Sequence, residues 1–298
     1  MRDTVQGSPM PSPTISIVTP SFNQAKYLEA TIASVVAQDC DQLEYVVVDG
    51  GSTDGSVEIV RGWESRVAWW VSEPDAGHAD AVNKGFAHTS GEIMGWINSS
   101  DLYLPWTLRV VGEVFAGHPE VDWITGVPCI AGSDGVLRST GPSNVNRYDF
   151  LSRDRVRIQQ ESTFWRRRLW NAVGGLDSSL RYAADIDLWS RFFLRAELYS
   201  VSCALAAFRV HDLRLGGSRN DGYRIEGADS LKRMIANTSA RDLRRARFVA
   251  LGHRLAGRLS GPLLEACPGC GWYRHPQISY DFDELRWKVH GKGRTVEP

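Results

Sequence analysis

The stretch EYVVVDGGSTDGSVEIVRGW, residues 44–63, reads as three pieces in a row. Tyr45 and the three valines after it form a short apolar run rich in β-branched side chains, suited to a strand buried on both faces. DGGSTDG, 49–55, is a turn built of small and polar residues, and GSVEIVRGW carries a helical pattern. The same alternation extends on both sides. ISIVTP (15–20), YLEATIASVV (27–36), VAWWVSEP (67–74), AVNKGFAH (81–88) and EIMGWIN (92–98) continue it as strand, helix, strand, helix and strand. Repeated βαβ units predict an α/β protein whose mostly parallel sheet is covered by helices on both faces.

In open sheets of this kind ligands bind beyond the carboxyl ends of the strands. Those ends read TPSFN (19–23), DGGSTDG (49–55), SEPDAG (72–77) and NSSD (98–101). Any one of them has a plain structural reading, with Asp54 or Ser52 capping a helix and Gly50, Gly51 and Gly55 making a turn. Four on one edge make a cleft. TPSFNQA has no GxGxxG and no strand is followed by a Walker lysine motif, so two familiar nucleotide folds fail.

After Pro105 the alternation fades. A helix is expected near 105–116, a strand in VDWITGV (121–127), a hairpin turn at 133–135 and a β-like run at 159–165. A helix around Arg167, the GGLD turn (174–177), a helix from Asp185 and a strand VSCALAAFRVH (201–211) follow. In the helix from Asp185, Leu188, Trp189, Phe192 and Phe193 form an apolar stripe with Asp185 one turn before Trp189, so Asp185 faces the cleft. Asp187, four residues before Arg191, suits a surface ion pair.

With 298 residues, 43% of them apolar, the chain can bury a sizeable core in one large or two small domains. Thirty-four basic against thirty-five acidic side chains give no global attraction for nucleic acid. Five scattered cysteines, an odd number, suit a reduced cytoplasmic chain. Cys267 and Cys270 make half a zinc site with only His275 and His290 nearby, and a turn is the plainer reading. Residues 1–14 read as a loose tail without the apolar region of a signal peptide. No window approaches the roughly 20 apolar residues of a membrane span, so a soluble chain is expected, at most seated on a membrane surface.

From Ile15 to His211 the sequence resembles the family 2 glycosyltransferases, which have the GT-A fold. The resemblance rests on SIVTPSFNQAKYLEATIASVVAQ, EYVVVDGGSTDGS, SEPDAGHADAVNKGFAHTSGEIMGWINSSDLYLP, QQESTFWRRRLWNAVGGLD and ADIDLWSRF, in that order and spacing. It implies a catalytic domain at 15–215, with a nucleotide-sugar half (15–104) and an acceptor-side half (105–215), a tail at 1–14 and a helical extension at 216–298. It also implies an inverting transfer from a nucleotide-sugar donor, a UDP sugar first, to an acceptor hydroxyl, with Asp185 as general base.

By the same resemblance the donor lies against Thr19, Pro20, Ser21, Phe22, Asn23, Asp49, Gly51, Ser100 and Asp101. Phe22 offers an aromatic face and Asp49 an acceptor for a base N–H or sugar hydroxyl. Lys84 is either a diphosphate contact or a solvated helix lysine. Gln160, Gly174, Gly175 and Trp189 are expected on the sugar and acceptor side. Three departures stand out: Gly50 and Ser100 where relatives carry acids, and Ala184 where they often have Glu. Mn²⁺ or Mg²⁺ on the donor diphosphate would then depend on Asp101, with His211 either a second ligand or a hydrogen-bonded strand-end histidine.

Two other functions compete. A catalytically silent nucleotide-sugar binder is suggested by the missing acids at 98–100, and retention of Asp185 argues against it. A nucleotidyltransferase would need a glycine-rich, basic phosphate loop that TPSFNQAK lacks. Finally, residues 230–260 hold eight Lys or Arg and one acid, with Leu243, Phe248, Leu251 and Leu255 at helical spacing. Such a basic amphipathic segment suits peripheral contact with the inner face of a membrane, where a lipid-linked acceptor would lie; its other reading is a helix packed on the catalytic domain.

Overall fold

A computed structural model describes residues 12–38, 40–132, 135–141, 145–152, 158–210, 221–256 and 276–290. The N-terminal half follows the alternation read from sequence: β1 (Ile15–Ser21), α1 (Ala25–Val36), β2 (Leu43–Asp49), α2 (Ser56–Gly62), β3 (Trp69–Ser72), α3 (His78–Ala87) and β4 (Ile93–Trp96). These four strands pair in parallel in the order β4-β1-β2-β3. Val46, Val47 and Val48 are fully buried between helices on the two faces. Each such side chain stabilises the fold by about 1.5–3 kcal/mol before its entropy cost. Register sets Ser21 beside Asp49 and Asp49 beside Ser72, so the loops after β1, β2 and β3 emerge together.

The second half continues the same sheet. It contributes β5 (Leu102–Tyr103), α4 (Thr107–Gly117), β6 (Trp123–Thr125), β7 (Cys129–Ala131), β8 (Leu137–Ser139), α5 (Arg147–Ser152) and β9 (Thr163–Arg166). Then come α6 (Arg167–Val173), α7 (Ala184–Phe193), β10 (Leu198–Val201), β11 (Ala206–Arg209), α8 (Asp221–Ala236), α9 (Ala240–Ala256), β12 (Gln277–Asp281) and β13 (Arg286–His290). The nine-stranded sheet has the order β13-β12-β10-β6-β9-β4-β1-β2-β3, and a smaller one has the order β5-β11-β7-β8. β9 runs antiparallel between β4 and β6, which brings its first residues to the edge where the parallel strands end.

Three expectations are corrected. The single strand expected over 201–211 is two: the chain bends at Ser202 and Cys203, leaves the large sheet after β10 and enters the small one as β11. Gly126 permits that crossing, since a Cβ there would lie 2.7 Å from Leu205 and 2.8 Å from the Cys203 carbonyl. The C-terminal extension is helical over α8 and α9, but β12 and β13 then return to the sheet through a parallel pairing of β12 with β10. On α9, Leu243 packs on the core with Ala246 and Val249, whereas Phe248 and Leu251 face solvent. The expected apolar face is therefore split. Residues 1–11, His211, Cys267, Cys270, His275 and the side chain of Leu255 lie outside the described residues.

Candidate active site

The first two loops are stitched to each other. Asp49 is buried, and its carboxylate accepts from the N–H groups of Gly51 (3.2 Å) and Ser52 (2.8 Å) and from the hydroxyls of Ser52 (2.5 Å) and Ser72 (2.7 Å). Gly51 sits at φ 82°, where glycine carries no Cβ penalty. Asn23, at φ 52°, accepts from Thr53 N–H on its side-chain oxygen (2.9 Å) and donates its own N–H to Ser52 Oγ (2.7 Å). Asp54 holds Ala25 N–H at 2.9 Å and Ser56 Oγ at 2.6 Å. Phe22, in the first of these loops, is 56% exposed and offers its ring to a flat ligand.

The third loop places a carboxylate where the sequence has a gap. A Cβ at Gly50 would lie 2.9 Å from Asp75 Oδ2, so Asp75 occupies the space of a side chain at position 50. Its other oxygen accepts from Gly77 N–H at 2.8 Å. Lys84 is committed to Glu73 at 2.9 Å, an ion pair with about a quarter of the lysine exposed.

The end of β4 is a network rather than an acidic cluster. Asp101 is buried; Oδ1 accepts from Arg209 N–H at 2.9 Å and Oδ2 from Asn98 Nδ2 at 3.2 Å. Asn98 Nδ2 also donates to Gln160 Oε1 (3.1 Å), and Asn98 Oδ1 is 2.9 Å from His78 Nε2. Gln160, in the short turn ahead of β9, donates to the Trp96 carbonyl at 2.6 Å. The antiparallel entry of β9 makes this meeting possible, because it sets residues 160 and 161 against a parallel strand end.

Glu161, next in that turn, is buried, and burial followed by the charges of Asp101 and Asp185 pushes its carboxyl well above the usual range. Those three carboxyl groups therefore share one region. Asp185 lies in the first turn of α7, only partly exposed. Burial pushes its carboxyl up to about 6, against the pull of the backbone N–H groups of Asp185 and Ile186 and of the Tyr223 hydroxyl. A carboxylate so placed is a stronger base than one in water.

Of the remaining expected residues, Thr19 is buried with its hydroxyl 3.0 Å from that of Tyr45, and Pro20 and Ser21 are buried at the end of β1. Ser100 is half-buried beside Asp101. Gly174 and Gly175, at φ 79° and 78°, make a turn clamped by Asn83, which bonds both N–H and carbonyl of Leu176 at 3.0 and 2.9 Å. Trp189 is not on the acceptor side: it is 1% exposed and stacks at 5.8 Å on Trp96 and 5.6 Å on Trp123. Asp187 pairs with Arg191 as expected, but in a buried position shared with Arg233 of α8. Asp75, His78, Glu161 and Tyr223 enter the site unannounced. Asp75 lies in a loop already suspected and Glu161 adjoins Gln160, whereas nothing local marks Tyr223.

Among the described residues no three His, Cys, Asp or Glu side chains converge as metal ligands. Asp101 already accepts two N–H donors, so the described residues do not form a metal cage.

A mostly parallel sheet flanked by helices, with its strand-end loops gathered on one edge, is the scaffold of the GT-A transferases. The glycosyl transferase family 2 profile matches residues 16–175, and the chain belongs to that family. It is 34% identical over 201 residues to an uncharacterized glycosyltransferase of Mycobacterium tuberculosis, covering 66% of this chain and 75% of that one. It is 30% identical over 193 residues to a PGL/p-HBAD biosynthesis glycosyltransferase of Mycobacterium bovis, covering 62% and 71%. Among solved structures, residues 1–349 of S. aureus TarS with UDP-GlcNAc match with a TM-score of 0.63 at 18% identity, over 86% of this chain and 78% of that one. The mannosyltransferase PcManGT of Pyrobaculum calidifontis, with GDP-Man and Mn²⁺, matches at 0.53 and 20% identity, over 87% and 79%. No described helix is long and apolar enough to cross a membrane.

Proposed function

We propose that the protein transfers a sugar from a nucleoside diphosphate sugar to an acceptor hydroxyl with inversion. The observation that carries this reading is Asp185, a partly exposed carboxylate at the start of a crossover helix whose carboxyl burial raises to about 6. The acceptor oxygen attacks the anomeric carbon from the face opposite the nucleotide and the bond to the diphosphate oxygen breaks. The hydroxyl proton passes to the Asp185 carboxylate. The exposed ring of Phe22 stacks on the base, and the interlocked loops 19–23 and 49–55 with Asp75 hold base and ribose. Gln160 and the 174–177 turn border the transferred sugar.

UDP is the first base to try, since TarS is crystallised with UDP and with UDP-GlcNAc. Dependence on Mn²⁺ or Mg²⁺ is a variable of the same test, since Asp101 is already bonded to two N–H groups and His211 lies outside the described residues. Cytoplasmic residence and membrane contact through residues 230–260, where a lipid-linked acceptor would be met, complete the proposal. A thermal-shift and turnover screen of UDP, dTDP and GDP sugars, with and without Mn²⁺, tests it. Stabilisation by one sugar nucleotide together with release of its nucleoside diphosphate supports transfer. The loss of acids at 98–100 favours a silent binder as second reading, and stabilisation without turnover would select it.

A further inference from the structure

α9 is packed on one side. Leu243 and Val249 lie against the core with Ala246, which is buried. Asp242, the one acid of the helix, turns toward the body of the protein, accepting from the hydroxyls of Tyr148 (3.2 Å) and Ser239 (2.9 Å). Arg245 turns the same way, 3.7 Å from Asp242. The opposite side carries Arg241, Arg244, Arg247, Phe248 and Leu251, all exposed. At 3.6 residues per turn these five fall within one arc of about 120°, spread along about 15 Å of helix.

Two features of that arc go together. Phe248 is 74% and Leu251 53% exposed, a large apolar surface left in water. Arg241, Arg244 and Arg247 flank them, with no carboxylate partner among the described residues. Charge of one sign beside two exposed apolar side chains differs from the mixed-charge pattern usual on a solvated helix face. A layer of phosphate groups above hydrocarbon satisfies both sets, guanidinium groups meeting phosphates while phenyl and isobutyl groups enter the acyl boundary. A nucleic-acid duplex offers the phosphates without the apolar layer. The helix is firmly presented: α9 packs on α5, and α8, immediately before it, is tied to α7 by the Arg233 to Asp187 pair at 2.8 Å.

We propose that the exposed 241–251 stripe of α9 is a docking surface for an anionic lipid bilayer. It makes specific, residue by residue, the membrane contact proposed above for residues 230–260, and does not depend on which donor the active site takes. The test is sedimentation of the full chain with phosphatidylcholine vesicles, with and without phosphatidylglycerol, at low and high salt. Wild type should sediment with the anionic vesicles at low salt and be released at high salt, because the arginine contribution is screened. Arg241→Gln/Arg244→Gln/Arg247→Gln should lower binding on the order of tenfold or more. Phe248→Ser/Leu251→Ser should lower it at both salt levels. Both variants should keep the wild-type unfolding temperature, since the changed side chains touch solvent. Wild type remaining in the supernatant at low salt, or both variants sedimenting like wild type, would overturn the proposal. Duplex DNA binding of matching strength that ignores Phe248→Ser/Leu251→Ser would reassign the stripe to polyanions and overturn it as well.

Discussion

Asp185 and Glu161 are two carboxyl groups in one region, both raised by burial. Burial, then the charges of Asp101 and Asp185, push the Glu161 carboxyl well above the ordinary carboxylate range. Asp185, raised to about 6, is ionised in roughly nine-tenths of molecules at neutral pH. A base works only when unprotonated, so transfer should level off above pH 6 and fall roughly tenfold per pH unit below it. A rate profile recorded from about pH 5 to 8 checks this, and a flat profile through 6 would remove Asp185 from that role. The place of Asp185 in the first turn of its helix was legible in the sequence because the apolar stripe of that helix orients it. Asp75 and Glu161 were not, because each matters only through what another segment brings to it: Gly50 for the first, Asp101 and Asp185 for the second.

Helix α3 depends on a residue without a side chain. A Cβ at Gly85 would lie 2.5 Å from Val18 Cγ1 and 2.9 Å from its Cγ2, inside contact distance. Gly85→Ala should therefore cost about 1–3 kcal/mol in denaturant unfolding, although alanine is the better helix former. An unchanged midpoint would mean that α3 shifts freely on the sheet. Between α7 and α8 the joint is polar: Asp187, 5% exposed, serves Arg191 and Arg233. Both arginines keep some access to water, so Asp187→Ala should cost about 1–3 kcal/mol rather than the larger penalty of stranding a buried charge. Urea unfolding measures it, and a loss below a few tenths would show the joint to be held by packing alone. Elements β1 to β4, with α1 to α3 between them, and α4 were readable because each carries its own period; the two-residue β5 was not. The break at Ser202 and Cys203 was not, since it is set by Gly126 and by the Val127 N–H bonded to the Cys203 carbonyl at 2.8 Å. Neither was the hairpin of β12 and β13, whose place depends on the remote β10.

Across the whole molecule, one topological choice gathers the site. Parallel strands send their loops to one edge, antiparallel β9 brings the 160–162 turn there from the opposite direction, and α7 starts beside it on its way to β10. The family profile ends at residue 175, and Asp185 on α7 and Tyr223 on α8, which bonds it, come after it, so the proposed base lies in the second half of the chain. The most direct test of the central claim is Asp185→Asn, which keeps the shape of the side chain and removes its basicity. Nucleotide-sugar binding by calorimetry should stay close to wild type while the transfer rate falls at least a hundredfold, on the order expected of a positioned general base. Transfer at a near wild-type rate, with the donor bound as tightly, would contradict the account.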